Sequence, residues 1–203
     1  SGLVESTHSG YLIIIGPDGS ELLTLGDVDA EMYPRSAIKS LQAAAMVRLG
    51  LELNDEQLAL VCASHGGTDR HQAVALEILK SAGLSESDLQ NTPDRPLDRR
   101  ARIAFGAKPA TSLAANCSGK HAGMLATCVA NGWDVKIYRD ANHPLQVAIA
   151  NEIEKLTGKS INRTSVDGCG APLFSMSTRS IAVAARKMRI GSDPVFSRVI
   201  NAC

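Results

Sequence analysis

The stretch Tyr11-Leu12-Ile13-Ile14-Ile15-Gly16-Pro17-Asp18-Gly19-Ser20-Glu21-Leu22-Leu23-Thr24-Leu25 decides how the chain begins. Two β-favouring runs, Tyr11 to Ile15 and Glu21 to Leu25, flank a turn composition at Gly16 to Gly19, so the opening reads as an antiparallel hairpin. Helical patterns follow. From about Arg35 to Arg48 the residues Ile38, Leu41, Ala45 and Leu49 recur at helix spacing, and Gly50 supplies a C-terminal stop. A hairpin followed by helices predicts an α+β fold with helices packed on a mainly antiparallel sheet.

Further along, Leu58 to Ala63 is a short unbroken apolar run that fits a buried strand, although periodicity alone does not separate it from a helix segment. Asp69 to Ser81 carries Ala73, Leu76, Ile78 and Leu79 and stops at Gly83, which predicts a helix. Ser85 to Pro109 is polar and interrupted by Pro93 and Pro96, as expected of a long surface connection. Helices are expected over Ala122 to Ala130, Pro144 to Leu156 and about Met176 to Lys187. Phe196 to Cys203 reads as the interior of an element, so the natural protein is expected to continue. There is no internal repeat or low-complexity tract.

The 203 residues suffice for one domain with a real core. Apolar residues make up 44% but aromatics only 3%, so Ala, Leu, Ile and Val must fill the interior. Lys plus Arg and Asp plus Glu are 21 each, which leaves no large basic field for nucleic acid or anionic lipid. A small-molecule partner is therefore the expectation. The longest apolar run, Tyr11 to Ile15, falls far short of the ~20 residues of a membrane span, and no signal peptide opens the sequence, so a cytoplasmic setting is expected. The five cysteines, Cys62, Cys117, Cys128, Cys169 and Cys203, are odd in number and read as reduced.

Three constellations could carry chemistry. Tyr33-Pro34-Arg35-Ser36-Ala37-Ile38-Lys39 sets Ser36 and Lys39 three residues apart at a helix start, where both side chains share a face and the helix N-terminus favours a developing anion. A Lys whose pKa is lowered by burial can take the serine proton, the logic of Ser-Lys hydrolases; a capping Ser with an exposed Lys one turn later is the plainer alternative. Ala63-Ser64-His65-Gly66-Gly67 ejects a serine from the apolar run into a Gly-rich turn, which either points into a pocket or is an ordinary turn serine beside a surface histidine. Asn116-Cys117-Ser118-Gly119-Lys120-His121 together with Asp167-Gly168-Cys169-Gly170 offers two thiols and a nitrogen donor suited to zinc, or else two buried packing thiols. Lysine must be neutral to bind a metal. A phosphate-loop reading of Gly119-Lys120 fails, because Ala114 stands where a glycine is required and His121 where Ser or Thr would hold magnesium. Glu5 to Gly10 could reach a pocket or simply lead into the hairpin; Arg95 to Arg102 reads as a solvated surface, and Trp133 as packing.

Taken together, Glu5-Ser-x-His8, Tyr33-Pro-Arg-Ser-x-x-Lys39, Ala63-Ser-His65, Asn116-Cys-Ser-Gly-Lys-His121 and Asp167-Gly-Cys-Gly170 resemble, in order and spacing, the rhizobial-type asparaginases of the asparaginase II family. The resemblance implies a layered fold like that of serine β-lactamases and glutaminases, a homodimer, and hydrolysis of L-asparagine to L-aspartate and ammonia. It implies that Ser36 and Lys39 form a first Ser-Lys tandem and that Ser64 is the serine of a second. It further implies that Cys117, Lys120 and Cys169 hold a metal, expected to be Zn2+ that positions substrate rather than hydrolysing it, and that Arg35, His121 and Asp167 orient the substrate. Family members are longer, and the lysine partnering the second serine comes from a C-terminal segment. Residues 1–203 are thus expected to be a single asparaginase-like domain lacking that segment. Gly66-Gly67-Thr68 after His65 is a smaller departure.

Three other functions compete. A penicillin-recognising acyl-transfer enzyme lacks its Ser-Asp-Asn and Lys-Thr-Gly signatures here. A glutaminase differs by one methylene of substrate. A truncated or metal-stabilised binding module would keep the pocket without turnover, and metal removal would unfold it.

Overall fold

The computed structural model describes residues 2–203. The hairpin is present as β1 (Leu12–Ile15) and β2 (Glu21–Leu25), paired antiparallel with Leu12 opposite Leu25 and Ile14 opposite Leu23. Next come β3 (Glu31–Met32), a 3-10 turn over Arg35–Ile38, and the helices α1 (Lys39–Arg48), α2 (Asp55–Cys62), α3 (Asp69–Ser81), α4 (Arg99–Phe105) and α5 (Ser118–Ala130). The chain continues through α6 (Pro144–Thr157), β4 (Thr164–Val166), β5 (Pro172–Phe174), β6 (Met176–Ser177), α7 (Thr178–Ile190) and α8 (Pro194–Ala202). Helix and antiparallel strand are both present, as α+β requires. Among the described residues the strands form three separate two-stranded ladders, β1 with β2, β3 with β6 and β4 with β5, rather than one sheet.

The apolar run Leu58 to Ala63 lies mostly in a helix, α2. Asn54 starts that helix upstream of the run: its side chain accepts from Gln57 N (2.9 Å) while the Gln57 side chain accepts from Asn54 N (3.2 Å). Such a reciprocal cap satisfies two orphan donors. Because α2 packs against α1, α3, α5 and α8, Leu58, Leu60 and Val61 are all buried and the sequence shows no polar face. The close approach of α5 needs Gly119, since a Cβ there would meet the Leu60 carbonyl oxygen at 2.7 Å.

The helix expected at Asp69 to Ser81 has those bounds, capped by Thr68 and His71. In the polar stretch Ser85 to Pro109 the structure adds α4, whose first turn is capped by Asp98 accepting from Ala101 N (2.8 Å). None of its residues is buried, so no apolar period marks it. Met176 and Ser177, expected to open a helix, instead pair with Met32 and Glu31, and Ser177 caps α7.

One main core unites α1, α2, α3, α5, α6, α7 and α8 and is rich in Ala, Leu and Ile, as the scarcity of aromatics requires. Arg48 of α1 ties the helices together through Glu152 of α6 (2.9 Å) and Asp193 (2.7 Å) before α8. No helix among the described residues is long and apolar enough to cross a membrane.

Candidate active site and metal centre

Lys39 opens α1 and is only 2% exposed. Its Nζ donates to Ala63 O (2.7 Å) and Ser64 Oγ (3.0 Å), with Asn116 O at 3.5 Å. Burial, followed by the positive charge of Lys120, brings its pKa down to about 8. An amine with that value is partly neutral near physiological pH and can accept a proton. Among the described residues Ser36 Oγ is not a partner of Lys39; Ser36 is exposed on the 3-10 turn, while Lys39 runs inward. The serine in contact with a lysine is thus Ser64, which the resemblance pairs with a lysine outside this sequence.

Ser64 lies where α2 ends. Ala63 turns extended, and His65 N donates to Asn116 O (3.1 Å), docking this loop against the segment that leads into α5. His65 is buried between Ser118 Oγ (3.0 Å from Nε2) and Gly67 N, which donates to Nδ1 (3.2 Å). Burial, then His71 and Lys39, brings its pKa down to about 4, so it stays neutral. A cavity of about 470 Å³ opens on Ser64, His65 and His71.

The second cluster is built by the first turn of α5 and the loop between β4 and β5. That loop closes through Asp167 N to Ala171 O (2.9 Å) and Gly170 N to Asp167 O (2.8 Å), with Gly170 at φ +83°. It brings Cys169 to Cys117, and the two sulfurs and one ring nitrogen of His121 lie within 4.8 Å of one another, all buried. Lys120 Nζ donates to Cys169 Sγ (3.3 Å). The hydrogen bond from Cys117 holds the Cys169 thiol well below its ordinary pKa against the effect of burial, and the same bond, with burial, pushes Cys117 up. This buried group could hold a metal ion. Two soft sulfur donors, an amine and an imidazole nearby are chemistry that fits zinc, and the buried His121 Nε2 has no hydrogen-bond partner.

Between the clusters lies a cleft of about 320 Å³ lined by Arg35, Ser36, Asn116, Cys117, Asp167 and Cys169. Arg35 and Asp167 face each other at 3.0 Å, their side chains 64% and 12% exposed. Arg35 sits at φ +51°, a left-handed conformation that a non-glycine residue rarely adopts and that costs roughly 1–3 kcal/mol. Thr92 Oγ1 fastens the loop that carries Cys169 through Gly168 O (2.8 Å).

The structure therefore gathers Arg35, Ser36, Cys117, Asp167 and Cys169 around one cleft, with Lys120 and His121 behind it and Lys39 bonded to Ser64. Glu5 to His8 are exposed, without regular structure, and do not line the cleft. Sequence reading missed three contributors: the Asn116 carbonyl shared by Lys39 and His65, Thr92, and Tyr138, whose OH lies 2.6 Å from His121 Nδ1. None carries a spacing signal, because each contact joins segments far apart in sequence.

A family model described as L-asparaginase II matches residues 1–203. No curated protein matches the chain.

Proposed function

The chain belongs to the L-asparaginase II family, and from that premise we propose that it hydrolyses L-asparagine to L-aspartate and ammonia with Ser36, Lys39 and Ser64 as its catalytic groups. The observation that carries the reading is the buried Lys39 amine, depressed to about 8 and hydrogen-bonded to Ser64 Oγ at 3.0 Å. Its surroundings supply the rest. Asparagine is a zwitterion, and Arg35 and Asp167 neutralise each other in the cleft. The substrate carboxylate and ammonium can replace that pair with two charge-assisted contacts, so amides lacking either charge are rejected.

In the proposed reaction Ser36, which lines the cleft, attacks the side-chain amide carbon. Because Ser36 lies exposed on the 3-10 turn, this step requires that turn to bring its hydroxyl inward to the neutral Lys39 amine, which takes the proton; Ser64, hydrogen-bonded to Lys39 Nζ at 3.0 Å, hands it to the departing ammonia as the carbon–nitrogen bond breaks. Water then cleaves the acyl ester, releasing aspartate and restoring the Ser36 hydroxyl. Cys117, Lys120 and Cys169 would hold Zn2+, which when bound supplies positive charge that positions the substrate. His121 stands behind the cleft as an orienting group.

The serine-β-lactamase/glutaminase-like layering, a single asparaginase-like domain over residues 1–203, the homodimer and the cytoplasmic setting belong to the same proposal. The shared helical core supports the single domain. Sedimentation tests the dimer.

The deciding assay is ammonia release from L-asparagine, beside L-glutamine, by the folded chain and its Ser36→Ala and Ser64→Ala variants, with mass spectrometry of any trapped acyl adduct. Release from asparagine, abolished by Ser36→Ala with the adduct on the Ser36 peptide, is expected. An adduct on the Ser64 peptide would move the nucleophile to Ser64. Asparagine binding without ammonia would make the chain a binding module, and faster release from glutamine would make it a glutaminase.

A further inference from the structure

Two carboxylates line the cleft beside Ser36, those of Asp167 and Asp94, against a single guanidinium, that of Arg35. Asp167 is already engaged. Its Oδ1 pairs with Arg35 Nη2 (3.0 Å) and accepts from Gly168 N (2.8 Å), while Cys169 Sγ lies 3.6 Å from its Oδ2, and the side chain is 12% exposed. An incoming ammonium must displace part of that set to reach it.

Asp94 stands differently. It is exposed, and its Oδ1 accepts from Arg95 N (2.7 Å), but among the described residues its Oδ2 accepts no hydrogen bond and no ion pair includes it. The neighbouring Arg95 guanidinium turns instead to Lys108 O (3.4 Å). The backbone fixes where the free oxygen is carried: Asp94 N donates to Thr111 O and Thr111 N to Asp94 O, both at 3.1 Å. Two residues earlier, the bond from Thr92 Oγ1 to Gly168 O (2.8 Å) ties this wall to the loop that bears Asp167. With Arg35 and Asp167 neutralising each other, the Asp94 carboxylate is the charge in the cleft that a ligand cation can meet without breaking an existing contact.

We infer that Asp94 is a specificity-determining residue, an acceptor for the α-ammonium of the substrate beside Asp167. An ammonium has three N–H donors, so one can go to Asp94 Oδ2 while another reaches Asp167, each a charge-assisted bond. Arg35 is then left to the α-carboxylate. This deepens the proposed hydrolysis of asparagine and rests on it, while the ammonium site itself can be measured without turnover. Asp94 lies outside every motif of the resemblance, and its bridge partner Thr111 is 17 residues away in the chain.

The test uses L-aspartate and succinate, which differ by the ammonium alone, as ligands in titration calorimetry of Zn2+-loaded wild type, Asp94→Asn and Asp167→Asn, beside KM for L-asparagine. The wild type should bind aspartate more tightly than succinate. Asp94→Asn, whose amide oxygen can still accept from Arg95 N, should weaken aspartate and raise KM for asparagine by about tenfold, the lower end expected of a charge-assisted contact, with succinate binding unchanged. An equal loss for succinate would make Asp94 a structural residue, and an undiminished preference for aspartate would leave the ammonium to Asp167 alone; either overturns the inference. Silence toward asparagine, with a preference for aspartate that Asp94→Asn erodes, would sink the hydrolysis and support the ammonium site. Should Asp94→Asn not fold, Asp167→Asn decides: with Asp94 in place it should still prefer aspartate to succinate, and a preference wholly lost there would overturn the inference.

Discussion

Lys39 and Lys120 are hidden to the same degree, each 2% exposed, and each begins or nearly begins a helix. Lys39 has oxygen atoms around its Nζ, the Ser64 hydroxyl and two carbonyls, whereas Lys120 donates to the sulfur of Cys169. Oxygen partners at an amine depressed to about 8 suit a proton acceptor. Sulfur partners, in a group that can gather around a cation, suit a ligand. Burial alone does not assign a lysine its task; the atoms that meet the nitrogen do.

The largest expected effect separates the two regions at once. Lys39→Met removes the acceptor, and ammonia release from asparagine should fall by about 10²–10⁴, the usual weight of a positioned base, while zinc content stays that of the wild type. In the wild type the rate should rise with pH and level off above about 8, as the Lys39 amine loses its proton. Stability carries the same signature. A lysine pKa lowered from 10.5 to about 8 means that the unfolded chain binds the extra proton between those values. The burial penalty is therefore full below about 8 and is relieved as pH rises toward 10.5, by roughly 3 kcal/mol. A urea midpoint that fails to climb over that window in the wild type, or climbs equally in Lys39→Met, would break the assignment.

On the sulfur side, Cys169→Ser should lower zinc affinity by more than the roughly 10–100-fold that outer-shell changes produce, read by competition with a chromogenic chelator. The pH limb near 8 should persist in whatever activity remains, because Lys39 keeps its oxygen partners. Loss of that limb would show that the two regions act as one.

Asp167→Asn is expected to act on substrate binding. Removing one charge-assisted contact, worth roughly 1.5–3 kcal/mol, should raise KM for asparagine by about 10–100-fold with kcat less affected. A drop confined to kcat would place Asp167 in the chemistry instead.

What could be read in the sequence follows the same division. The three-residue step from Cys117, the residue just before α5, to Lys120 in its first turn is local, so spacing announces it, and the loop from Asp167 to Gly170 needed only to deliver one more sulfur. Ser36 to Lys39 is also a three-residue step, yet the contact that forms joins Lys39 to Ser64, 25 residues away. Periodicity sees neighbours on one helix face, not partners brought together by packing. For the fold, Asp69–Ser81 was legible because α3 is amphipathic, with Val74, Ala75, Ile78 and Leu79 buried on one side. The first turn of α5 was not, because Ser118, Lys120 and His121 are buried polar residues that look like surface. The pairing of β3 with β6 involves two residues from each strand, far apart in the chain, and leaves no local trace.

The smallest effect gives the finest test of whether the oxygen-lined and sulfur-lined regions are separable. The loop bearing Ser64 ends at Thr68, whose Oγ1 accepts from His71 N (3.4 Å) while His71 Nδ1 accepts from Thr68 N (3.3 Å). Gln72 Nε2 adds a bond to Gly67 O (2.8 Å). This cap holds the exit of the loop as α2 holds its entry, and among the described residues none of its hydrogen bonds reaches Cys117 or Cys169. Thr68→Ala should cost about 1 kcal/mol, the typical weight of such a cap, seen as a lower urea midpoint with an unchanged m-value. Because the slackened loop carries Ser64 and not the thiols, the rate at saturating asparagine should fall modestly while zinc affinity stays put. Zinc affinity that falls with the rate would mean that the segment joining His65 N to Asn116 O transmits strain directly to Cys117, and that the two lysines report on a single site.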